Sequence, residues 1–480
     1  MSVTFKVRLN HESRPFPHYW EKSVGSCHAY MGLREDWRAQ LKKCREELGF
    51  QYVRFHGILN DQMSVFSKRK GEVRYSFFNI DSIFDFLLSI GMKPLVELSF
   101  MPRDMASGDR TVFHYRGNIT PPADYSEWGA LIESLTRHCV DRYGIDEVRT
   151  WYFEVWNEPN LGDFWAGTRE EYFRLYQYAA EAVKRVDSQI PVGGPSTSVN
   201  AWIPEMLEFC QKNHVPIDFV STHHYPTDEP LWLNREMDGI IRYERGILTK
   251  MAAKAREQAG KLPLFYTEWN ISSALPDALH DEPYAAAFIT KTIADNDGLV
   301  DMYSFWTFSD LFEEAPLPYA PFHGGFGLQT LHGIPKPKYR AFQLLHKTCD
   351  RRLPVERSDK SGSSNVELLA TVDESRIVLL AYNHNVPDGE IREEEVEVVL
   401  HGVEAVKAAT MEKVDHWNAN PKNKWLELGS PEYPDKLKIE EIHKSSLLKT
   451  EELEYWVRDH AFRFRVNIPP HGMIAVTIEK

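Results

Sequence analysis

The feature that most constrains this chain is a regular alternation of short apolar segments with amphipathic helical segments between about residues 25 and 345. Each apolar segment is continuous, which is typical of strands covered on both faces. The segments are GSCHAYM (25–31), YVRFHGI (52–58), KPLVELSF (93–100), RTWYFEVWN (149–157), IPVGGPS (190–196), DFVSTHHY (218–225), LPLFYTEW (262–269) and DMYSFWTF (301–308). Eight such alternations, without a Gly-rich phosphate turn, predict an α/β fold of the closed (β/α)8 TIM-barrel type.

The pattern changes after about residue 352, where a polar stretch, ERSDKSGSSN (356–365), indicates a loop or boundary. Beyond it apolar and polar residues alternate, as in Ile474, Val476 and Ile478, which predicts an accessory antiparallel β-sandwich domain. Phe5 at the other end belongs to a similar alternation, so we expect the N-terminal strand to join that sheet.

These patterns divide the chain into three predicted units: an N-terminal strand of the β-domain (1–15), the catalytic barrel (16–350) and a C-terminal β-sandwich (351–480). The region 402–458 mixes Lys and Glu, and this composition predicts a partly helical, exposed insertion.

Charge and composition narrow the class of partners. The chain has 70 acidic and 56 basic side chains, a formal net charge of -14, which argues against nucleic acid or an anionic membrane. No apolar run reaches bilayer length, and the N-terminal residues lack the apolar core of a signal peptide. The 5 cysteines are widely spaced without a CxxC pair, so neither disulfides nor a zinc site is indicated. We therefore expect a cytoplasmic protein; the sequence leaves its oligomeric state open.

Two glutamates stand where a barrel places its chemistry, at the C-terminal ends of strands. Glu158 follows the fourth predicted strand, and Glu268 ends the seventh. A carboxylate in an aromatic run is costly unless it is paired or functional. Glycoside hydrolysis requires two, one protonated to assist the leaving oxygen and one ionised to attack the anomeric carbon. Trp156 would raise the pKa of the first, and Asn157 is placed to bind a sugar 2-hydroxyl.

Seven stretches of the chain resemble glycoside hydrolase family 39, the family of β-xylosidases. They are RFHG (54–57), EVWNEPN (154–160), DFVSTHHY (218–225), YTEWN (266–270), FWTFSDLFEE (305–314), FHGGFGL (322–328) and IPKPKY (334–339). The motif WNEP alone is shared by related families, whereas its combination with WTFSDLFEE (306–314) and FHGGFG (322–327) is far more specific.

The resemblance implies Glu158 as acid/base and Glu268 as nucleophile. It also implies a sugar pocket lined by His56, Asn157, His223, Tyr225, Trp306, Glu314 and Phe113. The implied activity is that of a retaining exo-β-1,4-D-xylosidase, which takes xylose from the non-reducing end of short xylo-oligosaccharides without a cofactor or metal. Phe55 and Trp269 depart from the family pattern, and we expect both beside the pocket, where they would affect substrate preference.

Several of these residues also have a structural interpretation. His56 and Trp306 could be core residues. His223 and His224 alternate sides of a strand, so only one can face the barrel mouth, and we assign His223 to it. Glu313 and Glu314 could form a solvated pair of charges. We instead predict that Glu314 lines the pocket, because the Pro-rich run that follows resembles a pocket-covering loop.

Other functions stay open. A family 39-type α-L-arabinosidase, β-glucosidase or iduronidase-like enzyme would use the same framework, although a uronidase needs a cationic clamp and no Arg or Lys ends the predicted strands. A non-catalytic carbohydrate-binding barrel is a further alternative, but it should have lost one carboxylate.

Overall fold

The computed structural model describes residues 3–228, 244–359, 364–403 and 406–480. Eight parallel strands close into a barrel, which confirms the predicted (β/α)8 architecture. In chain order these strands are β1 (Ser23–His28), β2 (Tyr52–His56), β3 (Lys93–Leu98), β4 (Tyr152–Val155), β5 (Val192–Ser198), β6 (Phe219–His224), β7 (Leu264–Trp269) and β8 (Met302–Phe305).

A helix follows each barrel strand. These helices are α1 (Glu35–Leu48), α2 (Phe78–Ser89), α3 (Tyr125–Tyr143), α4 (Arg169–Val186), α5 (Ile203–Asn213), α6 (Ile247–Ala259), α7 (Pro283–Asn296) and α8 (Pro337–His346). In α1 the buried residues Trp37, Leu41 and Cys44 recur at helical spacing and face the barrel. The helix ends at Gly49, whose φ of 79° is the left-handed conformation that glycine adopts without strain.

Short elements decorate the loops at the two ends of the barrel. They are the hairpins Phe66–Arg69 with Glu72–Tyr75 and Thr111–Val112 with Gly117–Asn118, the short helix Ile145–Val148, and the 3-10 turns Ala29–Leu33, Asp61–Met63, Pro226–Asp228 and Ala278–Asp281.

The accessory domain is a sandwich of two sheets that share one apolar core. One sheet has the strand order Val355–Arg357, Val3–Arg8, Glu394–His401, Ala461–Ile468 and Tyr455–Arg458. The other has the order Arg14–Pro15, Arg351–Leu353, Val366–Val372, Arg376–Asn383, Met473–Glu479, Ala408–Val414 and Glu451–Glu452.

The N-terminal strand lies inside the first of these sheets. Val3–Arg8 pairs antiparallel with Val355–Arg357 but parallel with Glu394–His401, so the sheet is mixed at this one junction. The predicted loop 356–365 begins within the edge strand Val355–Arg357, and residues 360–363 lie outside the described part of the chain. The proposed domain boundaries at 16 and 350 stay a prediction.

The region 402–458 carries two helices, Pro421–Glu427 and Lys436–Ser445, in agreement with its predicted helical content. It is less exposed than expected, because the fully buried Ile442 packs with Phe322 and Ile334 of the segment between β8 and α8. This insertion therefore supports a loop of the barrel. Among the described helices, none is long and apolar enough to cross a membrane.

Candidate active site

A cavity of about 220 Å³ opens at the C-terminal ends of the barrel strands. The wall includes every residue predicted for the sugar pocket except His223, which is fully buried behind Glu158. The lining residues are His56, Phe113, Asn157, Glu158, Leu161, Phe164, Ser198, Tyr225, Asp228, Glu268, Ser273, Trp306, Glu314 and Phe326. Residues far apart in sequence thus meet around one cavity.

The two predicted catalytic carboxyl groups face each other across this cavity. An oxygen of Glu158, an oxygen of Glu268 and a nitrogen of His223 lie within 4.8 Å of one another. Glu268 belongs to β7, whereas Glu158 stands just after β4 with a φ of 44°. Trp156 has a φ of 74°, so the backbone is strained on both sides of Asn157. Such a spacing is near the separation of about 5–5.5 Å that retaining glycosidases use.

Arg54 on β2 organises the carboxylates beneath the cavity. Its Nε donates to Glu154 (2.5 Å) and its Nη1 to Glu268 (2.8 Å). Nη2 donates to the amide oxygen of Asn157 (2.9 Å) and lies 2.9 Å from Glu97. Since the Asn157 oxygen is occupied, its amino group remains to donate to a ligand hydroxyl.

The surroundings separate the proton affinities of the two carboxyl groups. Burial raises the pKa of Glu158 well above its ordinary value, and the nearby charge of Glu268 raises it further. Burial also raises the pKa of Glu268, but the charges of Arg54 and His56 and a hydrogen bond from the Tyr225 hydroxyl (2.8 Å) oppose this rise. Glu268 is therefore the group that ionises first, and Glu158 is the group that keeps its proton.

His56 connects this network to the cavity wall. Burial lowers its pKa, but the carboxylates of Glu97 and Glu314 outweigh burial and raise the pKa to about 10. Nδ1 lies 2.7 Å from Glu97, and Nε2 lies 3.5 Å from Glu314. The ring packs between Phe113 and Trp306, with centroids 6.0 and 4.7 Å away. A charged imidazolium thus sets the position of Glu314.

Two pairs of adjacent residues, His223 with His224 on β6 and Glu313 with Glu314 in the loop after β8, place their side chains in different surroundings. His223 faces Glu158, with Nδ1 2.9 Å from its carboxyl oxygen, while His224 turns outward to the Tyr303 hydroxyl at 2.7 Å. Glu314 lines the cavity, whereas Glu313 bonds to His28 outside it.

The expectation that Phe55 and Trp269 lie beside the pocket is wrong. Both alternate with inward-facing neighbours on their strands, so their side chains point into the layer between barrel and helices. Trp269 stacks on Tyr303 with ring centroids 4.1 Å apart, and neither departure contributes to the cavity wall. These substitutions change packing around the barrel.

Comparison with known proteins places the chain in a family. Residues 3–456 match the model of glycosyl hydrolases family 39. The chain belongs to family 39. A beta-xylosidase of Caldicellulosiruptor saccharolyticus is 54% identical to it, over 99% of this chain and 98% of the relative. A beta-xylosidase of Geobacillus stearothermophilus is 36% identical, over 89% of this chain and 86% of the relative.

A solved structure of similar shape is that of a monomeric beta-xylosidase from Caulobacter crescentus CB15, with a TM-score of 0.88 and 30% identity over 99% of both chains. The predicted family is therefore confirmed, and this family 39 chain is a glycoside hydrolase.

Sequence reasoning missed several residues of this family 39 site. Arg54 was part of a matching motif, but it was not assigned to the site. The signal that could have found it is its position two residues before His56 on β2, which places both side chains on the same, inner face. Asp228 follows Tyr225 by three residues, and burial raises the pKa of Asp228 to about 7. Phe326 comes from the FHGGFGL stretch, and its carbonyl accepts a hydrogen bond from Nζ of Lys338 (2.9 Å).

Among the residues that the structure describes, two groups of side chains bring together atoms that could ligate a cation. One is Glu158, His223 and Glu268; the other is His18, Glu21 and His346 at the opposite end of the barrel. In the second group both histidines bond to the same Glu21 oxygen, at 2.6 and 2.9 Å. Hydrogen bonds within each group account for its geometry.

Tyr225 offers a direct test of how Glu268 is kept ionised. Tyr225→Phe removes one hydrogen bond to a charged oxygen, a contact of about 1.5–3 kcal/mol. Because that bond favours the ionised form, its loss should raise the pKa of Glu268 and move the acidic limb of the kcat/KM profile to higher pH. We expect a loss of about 10- to 100-fold in kcat/KM near neutrality. An unchanged acidic limb would contradict this role.

Proposed function

We propose that this chain is a retaining exo-β-1,4-D-xylosidase that releases xylose from the non-reducing end of short xylo-oligosaccharides. The observation that carries the proposal is the opposed pair Glu158 and Glu268, with oxygens within 4.8 Å and unequal proton affinities. The beta-xylosidases that share 54% and 36% of its residues support the choice of xylose.

The proposed reaction has two displacements. A carboxylate oxygen of Glu268 attacks the anomeric carbon, the glycosidic C–O bond breaks, and the Glu158 proton passes to the leaving oxygen. Glu158, now ionised, then takes a proton from water as the water oxygen attacks the same carbon and releases Glu268. The Asn157 amino group is positioned to donate to the sugar 2-hydroxyl, a contact that strengthens in the transition state.

The size of the cavity supports exo action on a small sugar. Its volume of about 220 Å³ is below the roughly 300–1,000 Å³ of drug-sized sites, so it suits one sugar ring. Phe113 and Phe164, whose ring centroids are 5.3 Å apart, form part of the wall. A chain that continued beyond the non-reducing end would require an open cleft.

The charges of the wall disfavour a uronic acid substrate. No Arg or Lys is among the described residues that line the cavity, and the donors of the nearby Arg54 are occupied by carboxylates and Asn157. The acidic side chains Glu314 and Asp228 line the wall instead. The imidazolium of His56, which also lines the wall, is already paired with Glu97 and Glu314, so these lining residues leave no unpaired cation for a substrate carboxylate.

Hydrolysis of p-nitrophenyl glycosides tests this proposal. We expect kcat/KM for the β-D-xyloside to exceed that for the β-D-glucoside by about 10-fold or more, since a small pocket penalises the extra hydroxymethyl group. The α-L-arabinoside, a pentose of the same size with a different hydroxyl configuration, should also be cleaved more slowly than the β-D-xyloside. ¹H NMR of the first product should show β-xylose, which is retention. A first product of α configuration, or a faster arabinoside, would refute the assigned mechanism or substrate respectively.

A further inference from the structure

His223 is fully buried against Glu158, and both of its ring nitrogens have partners. Nδ1 lies 2.9 Å from Oε1 of Glu158. Nε2 lies 3.1 Å from the Thr267 hydroxyl and 3.4 Å from that of Ser196. In a neutral histidine one ring nitrogen carries the proton, and the hydrogen-bonding partners of the two nitrogens decide which one it is.

The proton of the Thr267 hydroxyl is already used. Oγ1 of Thr267 donates to Oε1 of Glu154 at 2.8 Å, and the other oxygen of Glu154 accepts from Arg54. A carboxylate in an ion pair only accepts hydrogen bonds, so the hydroxyl must be the donor to it. Thr267 can therefore offer only a lone pair to His223, which places a hydrogen on Nε2.

His223 carries a single proton in this environment. Burial lowers its pKa well below the ordinary value, and the charges of Arg54 and His56 lower it further. With the proton on Nε2, Nδ1 presents a lone pair to the oxygen of Glu158. A lone pair and a carboxyl oxygen 2.9 Å apart are compatible only when a hydrogen lies between them, and that hydrogen belongs to Glu158.

We propose that His223 is a positioning residue that keeps the acid proton on Glu158, and that Thr267 sets the tautomer required for it. The inference rests on the proposed role of Glu158 as acid/base. When the proton leaves for the glycosidic oxygen, the new carboxylate faces the Nδ1 lone pair. His223 therefore disfavours the ionised form and makes Glu158 a stronger base toward water in the second displacement.

Ser196 is the competing partner of Nε2. The Ser196 hydroxyl accepts from Arg54 at 3.2 Å and lies 3.4 Å from Nε2 of His223, farther than the Thr267 hydroxyl at 3.1 Å. Thr267 therefore determines the tautomer. The other groups that affect these two titrations are, among the described residues, Arg54 and His56 on β2, His224 on β6, Glu268 on β7 and Asp228 after β6. A substitution at Thr267 leaves all of them in place.

Thr267→Val keeps the shape of the side chain and removes both the acceptor for His223 and the donor to Glu154. His223 can then carry its proton on Nδ1 and donate to ionised Glu158, which lowers the pKa of Glu158. We expect the alkaline limb of the kcat/KM profile on xylobiose to move to lower pH by about 1–2 units. Thr267→Ser, which retains the hydroxyl, and Ser196→Ala should keep the wild-type limb.

A readout independent of hydrolysis is ¹⁵N NMR of protein with labelled histidine, the His223 signals being identified by their loss in His223→Gln. Wild type should show the Nε2–H tautomer, and Thr267→Val the Nδ1–H tautomer. A wild-type Nδ1–H tautomer or imidazolium would overturn the proposal, as would a limb that moves in Ser196→Ala but not in Thr267→Val. Absence of hydrolysis of every glycoside would refute the proposed function. The tautomer of His223 could still be measured in that case, because the NMR experiment does not require hydrolysis.

Discussion

Replacement of Glu268 by alanine is expected to lower kcat on an aryl β-xyloside by on the order of 10⁵-fold, because the variant lacks the proposed nucleophile of the covalent glycosyl intermediate. Glu268 is 5% exposed, and its oxygens accept hydrogen bonds from Arg54 and Tyr225. The smaller side chain leaves room for an external nucleophile. Azide should therefore restore turnover and yield the α-xylosyl azide, identified by NMR of the product.

Two variants make this result specific. Glu158→Ala should still cleave an aryl xyloside, because a good leaving group departs without acid assistance. Azide should then attack the glycosyl intermediate from the face opposite Glu268 and give the β-xylosyl azide. Glu133→Ala alters a partly exposed carboxylate paired with Arg185 on the outside of the barrel, and should keep wild-type kcat. The same azide anomer from both active-site variants would mean that the two roles are assigned wrongly.

The meeting of the two proposed catalytic carboxyl groups could be predicted because it depends on two local signals. A closed barrel gathers the ends of its strands at one face, so Glu158 and Glu268 were expected to meet although 110 positions separate them in the printed sequence. Alternation along a strand then assigned His223 rather than His224 to the inner face. Both signals are properties of the backbone, which tertiary packing does not alter.

The remaining features depend on contacts that have no local signature. The partners of Arg54 lie on or just after four other strands, β3, β4, β5 and β7, so its sequence neighbourhood says nothing about them. Trp269 was expected near the sugar because it adjoins Glu268, yet its ring stacks on Tyr303 and is not part of the cavity wall. The docking of Ile442 on the barrel likewise depends on how the two domains pack.

Substitution of Arg54 by methionine is expected to have the largest effect on stability. The guanidinium is fully buried and pairs with Glu97, Glu154 and Glu268, so its loss leaves buried carboxylates without a compensating charge. Removal of one partner from such a network costs about 3–5 kcal/mol in the free energy of unfolding. Urea unfolding of the two proteins measures this difference, and activity should fall as Glu268 loses its main cation.

Lysine should not rescue this position, because one ammonium cannot reproduce donors that point at four separate groups from a planar fork. Arg142→Met is the matched control: that side chain is 41% exposed and pairs with Asp85 at the surface, so a change within about 1 kcal/mol is expected.

The pH dependence of the Arg54→Met effect separates lost charge compensation from lost packing. Burial raises the pKa of Glu97, but Arg54 and His56 outweigh it and hold that pKa below its ordinary value. A carboxyl group with a lowered folded-state pKa contributes stability above its unfolded value, about 4.3, and loses it as pH falls through the folded value. The difference in stability between wild type and Arg54→Met should therefore be largest near neutral pH and shrink below about pH 4. A difference that stayed constant with pH would assign the effect to the shape of the side chain, since a packing defect does not titrate.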